Sequence, residues 1–263
     1  MQLSALHVFP VKSCAALVLD EAQVEPRGLA HDRRWMVVDD EDRFITGREE
    51  PRLVLLRAQP VAGGLLLAAP DMPELRIVEP ADGRVGVTVW RDHVNALHAS
   101  SQASEWISRF LGRTCRLVFM DEAAQRRVDP TYAAAGDEVS FADGFPLLLI
   151  SEGSLAGLNT RLDASVPMLR FRPNLVVAGA EPHAEDGWKR IRIGEIEFDV
   201  AKPCIRCGFT TVMPETGTLD PRGEPLRTLA TYRRGAKGVM FGQNLIARGG
   251  GRLRVRDEVA VLA

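Results

Sequence analysis

Apolar runs of four to nine residues, each cut off by Pro, Gly or Asp, follow one another along this chain without alternating with helix-length patterns. "LSALHVFPV", "RWMVVDD", "LVLLRAQ", "GLLLAAP" and "VGVTVW" form a first group. "RLVFM", "LLLIS", "NLVVAG", "RIRIGEIEFDVA", "FTTVM" and "LRVRDEVAVLA" form a second. A parallel, doubly wound sheet needs a crossover helix between successive strands, so this order predicts a mainly β protein with a few helices, of barrel or α+β type. "VAGG" reads as a hairpin turn, and Ile191, Ile193, Ile196 and Phe198 alternate with polar residues on either side of Gly194, the pattern of a second hairpin. Three helices are expected. In "SSQASEWISRFLGR", Ala103, Trp106, Ile107, Phe110 and Leu111 keep helical spacing between a cap at Ser100 or Ser101 and a stop at Gly112. "SEGSLAGLNTRL" places Leu155, Leu158 and Leu162 on one face after a Ser151 cap, and "EPLRTLATYRR" is a shorter third. The first helix separates the two strand groups, which divides the chain into 1–120 and 121–263.

Of the 263 residues, 46% are apolar and 26% charged, with a net charge of −2. That balance argues against bulk nucleic-acid or membrane binding. No apolar run reaches the length of a membrane span, and "MQLSALHVFPVKSC" lacks the layout of a secretory signal. Four cysteines are too few for a disulfide framework, so a cytoplasmic protein with reduced thiols is expected.

Two of those cysteines lie three positions apart in "AKPCIRCGFTTVMPETG". Cys204 and Cys207 suit half of a zinc site, a redox dithiol, two core cysteines, or a soft thiolate ligand with a neighbour. The five histidines are scattered and form no second zinc knuckle. "GFTTV" after Cys207 reads as strand, whereas a thioredoxin-type dithiol opens a helix. Lys202 and Arg206 add local positive charge, which favours thiolate and suits an anionic cofactor.

"CIRCGFTTVMPETG" resembles the cofactor-site motif of the MOSC family, named for the C-terminal domain of molybdenum-cofactor sulfurases. The first part of the chain is similar to the β-barrel domain that precedes MOSC in the mitochondrial amidoxime-reducing components and in bacterial reductases of N-hydroxylated bases. "FPVKSC", "HDRRWMVVD", "FITGREEPRLVLL", "FADGFPLLLISEGSLAGLN", "FRPNLVV" and "FGQN" carry the same resemblance in the family's order. It implies an N-terminal barrel-like domain over 1–120 and a MOSC barrel over 121–263. It also implies a molybdenum cofactor, in which a pterin dithiolene holds the metal and Cys207 alone supplies the protein's thiolate. Cys204 is then a neighbour. The resemblance assigns Lys12, Ser13 and Arg33 to the pterin and its phosphate, together with Arg172, Asn174, Gly144 and Phe145, and adds Gln243 and Asn244.

The implied activity is two-electron reduction of small N-hydroxylated substrates, with Cys207 as catalytic residue and metal ligand. Two departures bear on it. Val212, Met213 and Pro214 stand where the family often has Val-Asp-Pro, so a carboxylate is missing there. No further cysteines follow to hold an iron–sulfur cluster, so an external ferredoxin- or flavoprotein-type donor is expected. The alternatives are a cofactor carrier, or a sulfur-handling protein with a cysteine persulfide.

Overall fold

Tight turns set the local architecture of the computed structural model, which describes residues 1–263. Gly194, at φ +56, turns Arg190–Ile193 back onto Ile196–Arg206, and Ile193 pairs with Ile196. Only glycine adopts that left-handed conformation without steric cost. Ala62 and Gly63 do the same between Arg57–Val61 and Gly64–Ala68, where Val61 faces Gly64.

The largest sheet runs in the order Leu17–Leu19, Gln2–Val8, Leu175–Ala178, Leu147–Ser151, Gly238–Ala247, Ile196–Arg206, Arg190–Ile193, Val259–Val261. It then closes on itself. Gln2 bridges Glu258, the Leu3 amide donates to the Asp257 carbonyl at 2.9 Å, and the Val259 amide donates to the Met1 carbonyl at 3.0 Å. A closed ring leaves no edge to be satisfied. One pair in the ring is parallel, Leu147–Ser151 with Leu175–Ala178, and helix α2 (Glu152–Asn159) lies in the connection between them. Inside the barrel are Leu3, Leu6, Leu147, Leu149, Leu175, Ile191, Phe198 and Leu245, all fully buried.

The first strand of the chain therefore lies in a barrel whose other ring strands all come from beyond residue 146. Leu17–Leu19 then pairs with that first strand and Glu21–Glu25 with Gly251–Arg254, burying Ala22, Val24 and Leu29 against the same core, before the chain builds the other half. Trp35–Val38, Arg116–Phe119, Asp92–His98 and Arg84–Val89 form one sheet, and Arg57–Val61, Gly64–Ala68 and Leu75–Val78 another. Helix α1 (Ser101–Leu111) buries Ala103, Trp106, Ile107, Phe110 and Leu111 in their shared core. Its ends are the expected ones: the Ser100 hydroxyl accepts from the Ala103 amide at 3.2 Å, and Gly112 takes φ +70. Helix α2 has the Ser151 cap, but it ends at Asn159, so Leu162 reaches the same apolar cluster from the turn beyond. The third helix, α3, spans Leu226–Tyr232.

One local expectation is corrected. Gly208–Thr211 is a short 3₁₀ turn and not strand; only Val212–Met213 is extended. The Thr210 and Thr211 hydroxyls donate back to the carbonyls of Cys207 and Gly208, at 3.0 and 2.7 Å. Those bonds let two β-branched residues hold a turn. No helix is long and apolar enough to cross a membrane.

Candidate cofactor site

The strand Gln2–Val8 runs out of the barrel into Phe9–Ser13, and the chain enters the other half there: the Lys12 amide donates to the Trp35 carbonyl at 2.8 Å. A cleft of about 880 Å³ opens at this crossing. Its wall includes Lys12, Ser13, Arg33, Gly144, Phe145, Arg172, Asn174, Asn244, Cys204 and Cys207. Residues up to 232 positions apart in sequence, Lys12 and Asn244, thus meet in one concavity.

Three of these residues, Ser13, Arg33 and Arg172, have φ of +67, +48 and +57. Left-handed backbone costs a non-glycine residue on the order of 1–2 kcal/mol, and such strain collects where a site needs a particular orientation. The two arginines share one aromatic partner. Both guanidinium groups stack on Phe9, at 4.2 and 4.0 Å from the ring centre. Arg33 is anchored by buried Asp32 at 2.6 Å and by Asn174 Oδ1 at 3.1 Å. Asn174 also accepts from the Leu148 amide and donates to the His7 carbonyl, so it ties three segments together. Arg172 donates Nη1 to the Cys14 carbonyl at 2.7 Å, while its Nη2 is buried with no partner. Burial and the neighbouring Arg33 pull its pKa down to about 9, still cationic at neutral pH. A buried guanidinium nitrogen without a partner is unfavourable, and an anion is the kind of group that satisfies it best.

Lys12 is buried and donates Nζ to the Phe141 carbonyl at 2.7 Å and to Asp143 at 2.6 Å. Burial lowers its pKa, with Asp143 partly opposing. The Asp143 side chain is 72% exposed. Burial pushes its carboxyl up, and Lys12, Arg33 and a hydrogen bond from Trp90 pull it further down, to a net value below the usual carboxylate range. Asp143 is the single acidic side chain on the cleft wall. It stands in the cleft although the Val212–Pro214 segment carries no carboxylate. The loop bearing it is clamped by buried Arg126, which donates to the carbonyls of Ser140, Ala142 and Asp143 and pairs with Asp92 at 2.7 Å.

The cysteines differ in surroundings. Cys204 Sγ accepts from Arg206 Nη1 at 3.0 Å, and Arg206 Nη2 binds the Phe171 carbonyl at 2.7 Å. Cys207 opens the 3₁₀ turn and its thiol makes no protein hydrogen bond, which leaves its sulfur available to a ligand. No three His, Cys, Asp or Glu side chains converge anywhere, so a zinc site of this chain's own residues has no donors.

Two residues lie elsewhere. Gln243 is buried on the opposite side of its strand from Asn244, because successive strand residues face opposite ways, and it donates to Asp186 at 2.7 Å. Lys202 also turns away from the cleft, over the rings of Tyr132 and Phe145. Phe44, Arg48, Trp90, Asp143, Arg170, Arg206 and Phe209 also line the wall. For Asp143 the signal was present, since it stands immediately before the Gly144–Phe145 pair in "FADGFP".

Residues 1–114 match the MOSC N-terminal beta barrel domain and residues 136–260 match the MOSC domain. Mitochondrial amidoxime-reducing component 1 of Mus musculus is 34% identical over 99% of this chain and 82% of that protein. The Danio rerio protein of the same name is 38% identical, over 88% and 74%, and the Homo sapiens one 33%, over 99% and 82%. The chain belongs to the MOSC family. Between the two matched stretches of this MOSC protein lies Arg126, the clamp of the cleft loop.

Proposed function

We propose that this MOSC protein is a reductase of N-hydroxylated compounds that works with a molybdenum cofactor and takes electrons from a separate protein. The names of its relatives support the activity. The carrying observation is that an unpartnered, buried Arg172 Nη2 and an uncommitted Cys207 thiol share one cleft. The residues fit the cofactor: Arg33, Arg172 and Lys12 suit a phosphate-bearing pterin, Asn174 fixes Arg33, the Gly144–Phe145 backbone borders the cleft, and Cys207 supplies a soft ligand. When bound, the cofactor provides the two-electron redox chemistry.

The net reaction is R–NHOH plus two electrons and two protons giving R–NH₂ and water. The protein's part is binding, orientation and proton supply. Lys12 Nζ releases a proton more readily than a free lysine, because burial disfavours its charge. The exposed Asp143 carboxylate bonded to it connects that proton to solvent. Burial raises the pKa of the Cys14 and Cys115 thiols, to about 12 for Cys14, which keeps both protonated and unreactive.

The test is made on protein from a cofactor-competent host, by molybdenum content per chain and reduction of a hydroxylamine with a strong chemical reductant. Turnover is expected in the parent and its loss in Cys207→Ser, with a milder effect in Cys204→Ser, because a hydroxyl is a far poorer soft-metal ligand than a thiolate. Full molybdenum loading without turnover across several N-hydroxylated substrates would make the protein a carrier. A Cys204→Ser variant that lost the metal while Cys207→Ser kept it would reverse the ligand assignment.

A further inference from the structure

Only four of the chain's 33 basic residues are lysines, and three of them surround one groove. Lys189, Lys202 and Lys237 line a depression of about 910 Å³ beside the strand Ile196–Arg206, with Tyr132, Trp188, Pro203, Ile205 and Met240 as its apolar surface. None of the three makes an ion pair, although 19 such pairs occupy arginines and Lys12 elsewhere. Lys237 donates to the Tyr132 hydroxyl at 3.1 Å, and Lys202 lies over the Tyr132 ring at 4.7 Å. The acidic residue of the groove, Asp186, is already taken by Arg233 at 2.6 Å and by Gln243. Asp129 is within electrostatic range of Lys202 and Lys237 but pairs with neither.

The groove adjoins the cofactor cleft through two residues. Ile205, 38% exposed, borders both, and it stands two positions before Cys207, about 7 Å along an extended strand. Phe145 forms the cleft wall on one side and receives Lys202, 5.3 Å from its ring centre, on the other.

We propose that this lysine groove is the docking surface for an acidic, one-electron iron–sulfur protein that re-reduces the site. The proposal rests on the reductase reading, which requires two electrons per turnover and hence two visits by such a donor. Two visits require a complex that forms fast and parts fast. Unpaired lysines around a small apolar patch fit that demand. Their compact, hydrated, mobile charges steer an acidic partner without locking it, whereas arginine forks would hold it. Electron-transfer encounters are also among the smaller interfaces.

The experiment measures binding and turnover separately, using an acidic [2Fe–2S] ferredoxin. Binding of the reduced ferredoxin is measured at low and high salt for the parent and for the Lys189→Glu/Lys202→Glu/Lys237→Glu variant. Circular dichroism checks the fold, and Lys189→Gln/Lys237→Gln provides a milder second variant on exposed positions only. The expected result is a roughly ten-fold or greater loss of affinity in the triple variant, a smaller loss in the double one, and parent binding that weakens as salt rises. Turnover with the chemical reductant should stay unchanged in both, while ferredoxin-driven turnover falls with the affinity. Equal affinity of parent and both variants, or no ferredoxin binding by the parent, overturns the docking surface. Absent turnover with the chemical reductant sinks the reductase reading on its own, and the binding measurement still decides the surface.

Discussion

Arg172 shows how a single side chain can be stabilising for a ligand and a liability without one. Its buried Nη2 has no partner, its backbone is left-handed, and Arg33 crowds it. An anion in the cleft offsets part of the electrostatic cost. Inorganic phosphate should therefore raise the melting temperature of the cofactor-free parent, by an amount equivalent to about 2.7 kcal/mol at a hundred times its Kd. Arg172→Met should show little of that response; an equal phosphate shift in the variant would remove Arg172 from the anion site. Asp143 makes a second case. Its carboxyl titrates lower in the folded protein than in the unfolded chain, so its contribution is present above the unfolded value of about 3.9 and is lost as pH falls through the lower folded value. Asp143→Asn should cost about 1–2 kcal/mol at pH 7, because Lys12 stays buried with only the Phe141 carbonyl, and the half-exposed geometry keeps the cost below that of a fully buried pair. The difference between parent and variant should shrink below about pH 4. Urea titrations at both pH values check it.

At the scale of elements, caps and turns behave locally. The Ser100 hydroxyl satisfies one of the unpaired amides at the start of α1, so Ser100→Ala should lower stability by about 1 kcal/mol, read as a shift of the urea midpoint at constant slope. The 3₁₀ turn after Cys207 behaves differently. Threonine-rich "GFTTV" has the composition of a strand, and a barrel strand ends just before it. Hydroxyl-to-carbonyl bonds within three residues bend the chain there, and the bend is what leaves the Cys207 thiol facing the cleft wall that Phe209 and Thr210 extend.

For the molecule as a whole, the decisive feature is that the N-terminal segment is shared with the C-terminal barrel: Gln2–Val8 closes its ring, and Glu21–Glu25 pairs with Gly251–Arg254. Leu3, Leu6 and Val8 are buried in the C-terminal barrel, and each buried aliphatic side chain is worth about 1.5–3 kcal/mol. Together they approach the net stability of an ordinary domain. Without Gln2–Val8 the ring also opens between Leu175–Ala178 and the Val259 segment. Residues 121–263 expressed alone should fail to give a cooperative melt, and covalently adding back residues 1–29 should restore it; a cooperative melt for 121–263 alone would show that the ring closes without the N-terminal segment. The same crossing makes the site, because Lys12 and Ser13 follow directly from the shared strand and meet residues of the barrel at its rim.

The sequence by itself determined what depends on near neighbours: the Gly194 and Gly63 hairpins, the Ser100 and Ser151 caps, and the mainly β class. Ordered motifs singled out Lys12, Ser13, Arg33, Gly144, Phe145, Arg172, Asn174, Asn244 and Cys207, which the fold brings to one cleft. Tertiary structure alone decided that the first strand pairs at residues 175–178, that Arg126 holds the Asp143 loop, that Gln243 faces Asp186, and that three lysines from separate segments converge. The physical reason is range. Backbone sterics and capping bonds act over a few residues and are written in the local string. Barrel closure, and the side of a strand from which a group looks out, follow from which distant surfaces bury each other.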